Sequence, residues 1–311
     1  MFTGKIYTVT LNPAIDHYIS FKEENRFCEG KLNKVTNSYS LAGGKGINVS
    51  KVLNNYSVPS TALGFVGGFT GDFIKNDLIK ESINFDFTTL NEETRINIKM
   101  NNSGVETEIA GKSPFISETL LKIFLEKFSN LKSGDILVLS GSVPDSLNSN
   151  IYASIIENLP EGVEVILDTR DKPFEEALKK GVFLVKPNKK ELQEFFKKEI
   201  LGDNDLIKAG KELQGLGAKN VLISLGGEGS LLITEKNVLR GKAPKGNVIS
   251  TVGAGDSMVA GIIYGLSQDS SLEDSLKYGI ASGSSTAFSK GVTTLEKMKN
   301  LLSNIEINSF K

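Results

Sequence analysis

The residues best suited by type and spacing to do chemistry lie between Val248 and Gly261. Val248-Ile249-Ser250-Thr251-Val252-Gly253-Ala254-Gly255-Asp256 passes from apolar residues into two glycines around an alanine, and Met258, Val259, Ile262, Ile263 and Leu266 follow at helical spacing. That order predicts an extended segment, a tight turn and the first turn of a helix. Gly253 and Gly255 permit backbone angles closed to other residues and let a ligand approach the main chain. The free N–H groups and positive dipole end of a helix start form a site for phosphate oxygens. Asp256 beside such a site would repel phosphate unless it had a chemical task. A general base, taking a proton from a hydroxyl as phosphate arrives, is the task that fits. Gly-Ala-Gly-Asp alone is also an ordinary helix start, with a first-turn aspartate favoured by the dipole. The rest of the chain has to decide between the two.

Composition narrows the field. The 311 residues are 39% hydrophobic and 23% charged, as expected of a globular chain that can bury a large core. A net charge of −1 leaves no basic footprint for nucleic acid or a membrane surface. Cys28 is the only cysteine and His17 the only histidine, so a His/Cys zinc site or a Ser-His-Asp triad would rest on His17 alone. A single cysteine suits a reducing cytoplasm, and nothing reads as a signal peptide or a membrane span.

The elements that must hold this stretch are legible as apolar runs between turn signals. Residues 5–11 read as a strand ended by Asn12-Pro13, and 15–19 and 34–39 as short alternating strands. Ala42-Gly43-Gly44-Lys45-Gly46-Ile47-Asn48 reads as a glycine turn opening a helix. A strand at 60–66, a helix at 73–80 and a hairpin of 94–100 with 105–109 follow. From residue 119 the pattern is regular: helices at 119–128, 148–158, 173–179, 189–197 and 204–215 alternate with strands at 136–139, 163–167, 182–185 and 221–225. A hairpin (230–234, 238–241) precedes the Gly-Ala-Gly-Asp turn, and helices near 271–289 and 293–302 follow it. Apolar strands alternating with helices imply a mostly parallel sheet covered on both faces, with ligands beyond the carboxyl ends of its strands. Ser140-Gly141-Ser142, Asp168-Thr169, Lys186-Pro187-Asn188 and Gly226-Gly227-Glu228-Gly229 all fall there. The sheet-like segments near 14–40 and 93–111 interrupt the alternation and read as a small β-sheet lid over that edge. One of its faces would cover the site, and the other would meet solvent or a second copy.

Taken together, Gly43-Gly44-Lys45-Gly46-Ile47-Asn48, Lys186-Pro187-Asn188-Lys189-Lys190-Glu191 and Thr251-Val252-Gly253-Ala254-Gly255-Asp256 resemble the signatures of the ribokinase-like (PfkB) carbohydrate kinases, in their order and spacing. Thr8–Asp16, Gly67-Gly68-Phe69-Thr70-Gly71 and Thr94-Arg95-Ile96-Asn97 resemble the family's phosphosugar branch. No Walker A loop is present, and Met258 stands where a dinucleotide fingerprint needs its third glycine. The resemblance implies one domain over 1–311, a three-layer α/β/α ribokinase-like fold with a mostly parallel central sheet plus the lid. It implies a cytoplasmic, ATP- and Mg²⁺-dependent kinase of a ketohexose phosphate. Fructose 1-phosphate is the expected substrate, with tagatose 6-phosphate and fructose 6-phosphate as alternatives. A homodimer joined through the lid sheet is expected too. A catalytically silent sensor on the same fold would have no use for the base.

On the family pattern Asp256 is the base, and the N–H groups of Gly253, Ala254, Gly255 and Asp256 form an anion hole. Asp16 accepts sugar hydroxyls, although alone it also reads as a turn aspartate. Gly43, Gly44 and Asn48 border the sugar, with Ser140 nearby, while Lys45 and Arg95 grip the substrate phosphate. Asn188 and Glu191, three apart, would hold Mg²⁺ through water, but the same pair reads equally as a capping box. Lys186, Asn188, Ser224, Gly226, Gly229 and Ser282 fall on the nucleotide side. The carbonyls of Ser250, Val252, Ala287 and Gly291 are the candidates for a monovalent cation such as K⁺.

Overall fold

The computed structural model describes residues 2–310. The chain runs β1 (Ile6–Thr10), β2 (Ala14–Phe21), β3 (Asn37–Gly43), α1 (Lys45–Asn55), β4 (Thr61–Gly67) and α2 (Gly68–Lys80). Three strands follow, β5 (Asn84–Leu90), β6 (Ile96–Asn102) and β7 (Val105–Ile109), and then α3 (Glu118–Glu126). The regular alternation is β8 (Ile136–Ser140), α4 (Ile151–Glu157), β9 (Glu164–Asp168), α5 (Asp171–Leu178), β10 (Val182–Val185), α6 (Lys189–Phe196), α7 (Asp203–Gly215) and β11 (Ala218–Ser224). The chain ends with β12 (Ser230–Ile233), β13 (Val238–Gly241), α8 (Ala254–Ser267), α9 (Leu272–Ala287), α10 (Leu295–Lys299) and β14 (Ile307–Phe310).

Ten strands form one sheet in the order β14-β13-β12-β11-β10-β9-β8-β1-β4-β5. From β11 to β5 every pairing is parallel, while β12, β13 and β14 extend the edge antiparallel. The period of two splits the strands between two cores. In β8, Leu137 and Leu139 join one cluster with Phe124, Tyr152, Ile155 and Leu213, so α3, α4 and α7 cover that face. Ile136 and Val138 join the other, with Val52, Leu53, Ile262, Ile263, Leu276 and Ile280 from α1, α8 and α9. Each such fully buried side chain contributes about 1.5–3 kcal/mol, and the two-sided burial is why these strands read as unbroken apolar runs.

The remaining strands form a second sheet, β3-β2-β6-β7, in which only β2 and β6 are parallel. Its base is fastened by a third cluster, Ile15, Ala42, Ile47, Ala62, Val66, Ile74 and Leu78. The small sheet at 14–40 and 93–111 is therefore present, and elsewhere the helix expected at 73–80 begins five residues earlier, at Gly68. The segment expected at 34–39 pairs as Asn37–Gly43, because its register with Ala14–Ser20 carries it into the glycine turn. Two strands, β5 and β14, escaped the sequence reading. Both lie at sheet edges, and β14 is largely exposed, so neither shows the apolar run of a central strand.

The seat of α8 is set by small residues. A Cβ on Gly261 would lie 2.4 Å from Ser282 Oγ, and one on Gly265 would lie 2.4 Å from Ser275 Oγ. Only glycine lets α9 approach this closely, which fixes where the N-terminus of α8 points.

Candidate active site

Gly253 caps α8 with φ of 78°, a left-handed conformation that no side chain at this position would favour. The Ala254 N–H donates to the Thr251 carbonyl at 3.2 Å, whereas the N–H groups of Gly253, Gly255 and Asp256 have no backbone acceptor among the described residues. Three of the four expected donors are thus free for an anion, and Ala254 is the exception. Asp256 is buried and accepts a hydrogen bond from Asn48 Nδ2 at 2.8 Å. Asn48 comes from the first turn of α1, so two helix starts meet at this carboxylate.

A second carboxylate, Asp168 at the end of β9, lies beside them; the sequence places it at the ligand-binding edge but gives it no role. Lys45 Nζ contacts its Oδ1 at 3.0 Å and Lys186 Nζ its Oδ2 at 3.3 Å. Burial alone would raise the Asp168 carboxyl, but Lys186 and Lys45 outweigh it and hold the group below the usual carboxylate range. Burial works against the Lys45 ammonium, yet Asp168 and then Asp256 keep it firmly protonated. Asp256 is pushed up to about 6, first by burial and then by the Asp168 charge, with Lys45, Asn48 and Lys186 acting in opposition. A pKa near working pH suits a general base. The signal for Asp168 was its place directly after an apolar strand, at the carboxyl edge. Its partners come from residues 45 and 186, which only the fold brings together.

The small sheet supplies the far end of the cleft. Asp16 and Asn97 are register partners across β2 and β6, and Asn97 Nδ2 donates to Asp16 Oδ1 at 2.9 Å. Burial raises the Asp16 carboxyl, while Asn97, Lys99 and Arg95 pull it down. Arg95 Nη2 donates to the Asn12 carbonyl at 2.9 Å, and its Nε is buried without a partner. Lys99 pairs with Glu108, opposite it on β7. Asn12, Asn97, Lys99 and Glu108 line the cleft although the sequence reading assigned them no role.

One cleft of about 1020 Å³ joins all of this. Asp16, Gly44, Lys45, Asn48, Arg95, Lys186, Asn188, Glu191, Ser224, Gly226, Val252, Gly253, Ala254, Gly255, Asp256 and Ala287 line it. Several expected residues do not. Ser140 is buried, its hydroxyl donating to the Val9 carbonyl at 3.2 Å, and Gly141 and Ser142 take its place in the wall. Ser282 is buried between Tyr56 and Tyr278, bonded to both, while Gly283 and Ser284 reach the cleft. Gly43 makes room rather than contact, since a Cβ there would lie 2.3 Å from Asp16 Oδ2. Gly229 turns with φ of 97° against the Gly241 carbonyl, outside the wall. Lys45 sits with Asp168 and Asp256 instead of beside Arg95, whose charged neighbours are Asp16 and Glu108. Ser250 and Gly291 lie outside the wall, and the Ala287 carbonyl already accepts the Ile249 and Ser250 N–H groups at 2.8 and 3.3 Å. Both bonds of the capping box between Asn188 and Glu191 are made, at 2.8 and 2.9 Å.

A mostly parallel sheet between two helical layers, with a small sheet over its carboxyl edge and a helix N-terminus beside a buried aspartate, defines the ribokinase-like fold and a phosphotransferase site. The description of the pfkB family of carbohydrate kinases matches residues 9–298, and the chain belongs to that family. A 1-phosphofructokinase from Borreliella burgdorferi is 44% identical, covering 97% of this chain and 98% of its own length. A 1-phosphofructokinase from Bacillus subtilis is 42% identical, covering 97% and 99%. The crystal structure of Escherichia coli phosphofructokinase-2 in complex with fructose-6-phosphate superposes with a TM-score of 0.90 at 28% identity, covering 97% of this chain and 99% of that one.

Proposed function

We propose that the chain transfers the terminal phosphoryl group of ATP to the 6-hydroxyl of fructose 1-phosphate, giving fructose 1,6-bisphosphate and ADP. The observation that carries this reading is the buried Asp256 at an open helix start, in one cleft with the Asp16–Asn97 pair and Arg95. The names of the two bacterial relatives favour fructose 1-phosphate among ketohexose phosphates.

Asp16 accepts hydrogen bonds from sugar hydroxyls and so holds the ring, and Arg95 binds the phosphate already on the sugar. This points the free primary hydroxyl at Asp256. The carboxylate takes the hydroxyl proton as the new P–O bond forms and the bond to the leaving ADP oxygen breaks. Negative charge on the transferring group meets the N–H groups of Gly253, Gly255 and Asp256 and the ammonium groups of Lys45 and Lys186. Donors fixed in this way need no reorganisation at the moment of reaction. Asp168 keeps both lysines in place before the nucleotide arrives.

The donor set fits a magnesium nucleotide: Asn188 and Glu191 are hard oxygen donors lining the same cleft as Lys186, and they would hold Mg²⁺ through water. Bound there, Mg²⁺ neutralises phosphate charge. The two capping bonds are compatible with that task, because holding through water leaves them intact. The chain also acts as a homodimer joined through the small sheet. Ile96, Val105 and Ile109, on the face of that sheet opposite Asn97, Lys99 and Glu108, are 43%, 64% and 54% exposed.

An ATP-consumption assay across fructose 1-phosphate, fructose 6-phosphate, tagatose 6-phosphate and unphosphorylated fructose tests the reading. Fructose 1-phosphate should show the highest kcat/KM, and silence toward all four would refute a kinase of this class.

A further inference from the structure

Apart from Arg170 and Lys245, the cations lining the cleft fall into two groups. Lys45 and Lys186 are bonded to Asp168, close enough to Asp256 for the charges to act on one another. Arg95 and Lys99 form the other group, and their charged neighbours are Asp16 and Glu108. A sugar phosphate with its reacting hydroxyl at Asp256 and its ring at Asp16 carries its phosphate away from Asp256, toward the second group. Arg95 alone brings one positive charge to a dianion, and part of its fork is already bonded to the Asn12 carbonyl.

We propose that Lys99 is the second cation for the substrate's phosphate, held ready by Glu108 and released to the sugar phosphate when it binds. Strand geometry puts it there. Arg95, Asn97 and Lys99 alternate with Ile96 and Ile98, so all three share the face that carries Asp16. Lys99 and Glu108 are register partners across β6 and β7, and both line the cleft. The pair is lopsided: the Lys99 side chain is 17% exposed and that of Glu108 54%. Glu108 can therefore swing into water while Lys99 stays, and a half-exposed ion pair opens at little cost. With Arg95 and Lys99 both engaged, the site selects a ketohexose phosphate over the free sugar. Its phosphate must lie on the carbon remote from the attacked hydroxyl. This inference rests on the proposed kinase reading and extends it to the residue that recognises the phosphate.

The test compares Lys99→Met, Lys99→Arg and Glu108→Gln with the unaltered protein, using fructose 1-phosphate and ATP. Lys99→Met should raise the KM for fructose 1-phosphate about ten- to a hundredfold and leave the KM for ATP within about twofold. Lys99→Arg, which keeps the charge and the strand, should restore most of the loss. Glu108→Gln should leave the KM for fructose 1-phosphate unchanged or lower, since it removes a competitor for Lys99. A strut that merely stiffens the small sheet makes the opposite forecast, with Glu108→Gln as damaging as Lys99→Met. That result, or an unaltered KM in Lys99→Met, would overturn the assignment while the kinase reading stands. Failure of the unaltered protein to phosphorylate fructose 1-phosphate would overturn both.

Discussion

Asp256 shows how burial reverses the meaning of a residue type. A first-turn carboxylate stabilises an exposed helix by about 0.3–1 kcal/mol through the dipole. Here the same carboxylate is buried beside Asp168, and burial and that charge push its pKa up to about 6, from the ordinary 3.8. The folded protein therefore holds this proton more tightly than the unfolded chain does. Stability from this group is full below about pH 3.8 and is lost as pH rises through about 6. Asp256→Asn should thus melt at a higher temperature than the unaltered protein at pH 7.5, by up to about 3 kcal/mol of stability. The same variant should bind both substrates and turn over about 10²–10⁴-fold more slowly. In the unaltered protein kcat/KM should fall as pH is lowered through about 6, where the free enzyme's base becomes protonated. Calorimetry and a pH–rate profile check both halves. A variant that is less stable and still active would mean that Asp256 only caps the helix.

The elements meet at glycines where a side chain would collide with the site. Gly43 ends β3 and Gly44, with φ of 133°, caps α1, so the chain leaves the small sheet and enters the helix within two residues. The junction is pinned by Asp77, whose Oδ2 accepts the Ala42 N–H at 2.9 Å and Lys51 Nζ at 2.8 Å. A methyl group on Gly43 would lie 2.3 Å from Asp16 Oδ2, so the carboxylate would have to move. Gly43→Ala should raise the KM for the phosphosugar by at least about tenfold and spare that for ATP, because the displaced group faces only the sugar. Steady-state kinetics with each substrate varied in turn will show it. Equal loss for both substrates would place the damage in α1 instead of at Asp16.

At the scale of the molecule, the outer face of the small sheet leaves Ile96, Val105 and Ile109 exposed on neighbouring strands. A second copy covering that face would also brace the strands that carry Arg95, Asn97 and Lys99. Sedimentation velocity at micromolar concentration should show a dimer. Ile109→Asp, which places a charge in the middle of the contact, should shift it to monomer and raise the KM for the phosphosugar more than that for ATP. A monomeric unaltered protein with full activity would sink the dimer.

Much of this was legible without coordinates, for a local reason. Apolar runs of four to seven residues bounded by turn signals mark central strands, because those strands are buried on both faces, and β8, β9 and β10 were recovered within a residue or so at each end. Backbone-made sites are legible too. Gly44 and Gly253 mark turns that only glycine favours, with φ of 133° and 78°. Gly255, expected to need such freedom, is an ordinary residue of α8, and Asp256 travels with its turn. The capping box at Asn188 and Glu191 was equally visible, although spacing alone could not say whether it also serves a metal ion. What required the tertiary structure was every pairing between distant segments. Ser140 and Ser282 stand one residue from the cleft wall, and only packing decides which neighbour faces inward. Lys45 could be read as a cation but not as the partner of Asp168, 123 positions away. Lys99 was one strand lysine among many until the register of β6 against β2 and β7 put it on the face of Asp16 and opposite Glu108. Local conformation is encoded in short stretches of chain. The charge environment of a site arises where such stretches converge, and here it converges at the carboxyl edge of a sheet whose strand order no single stretch reveals.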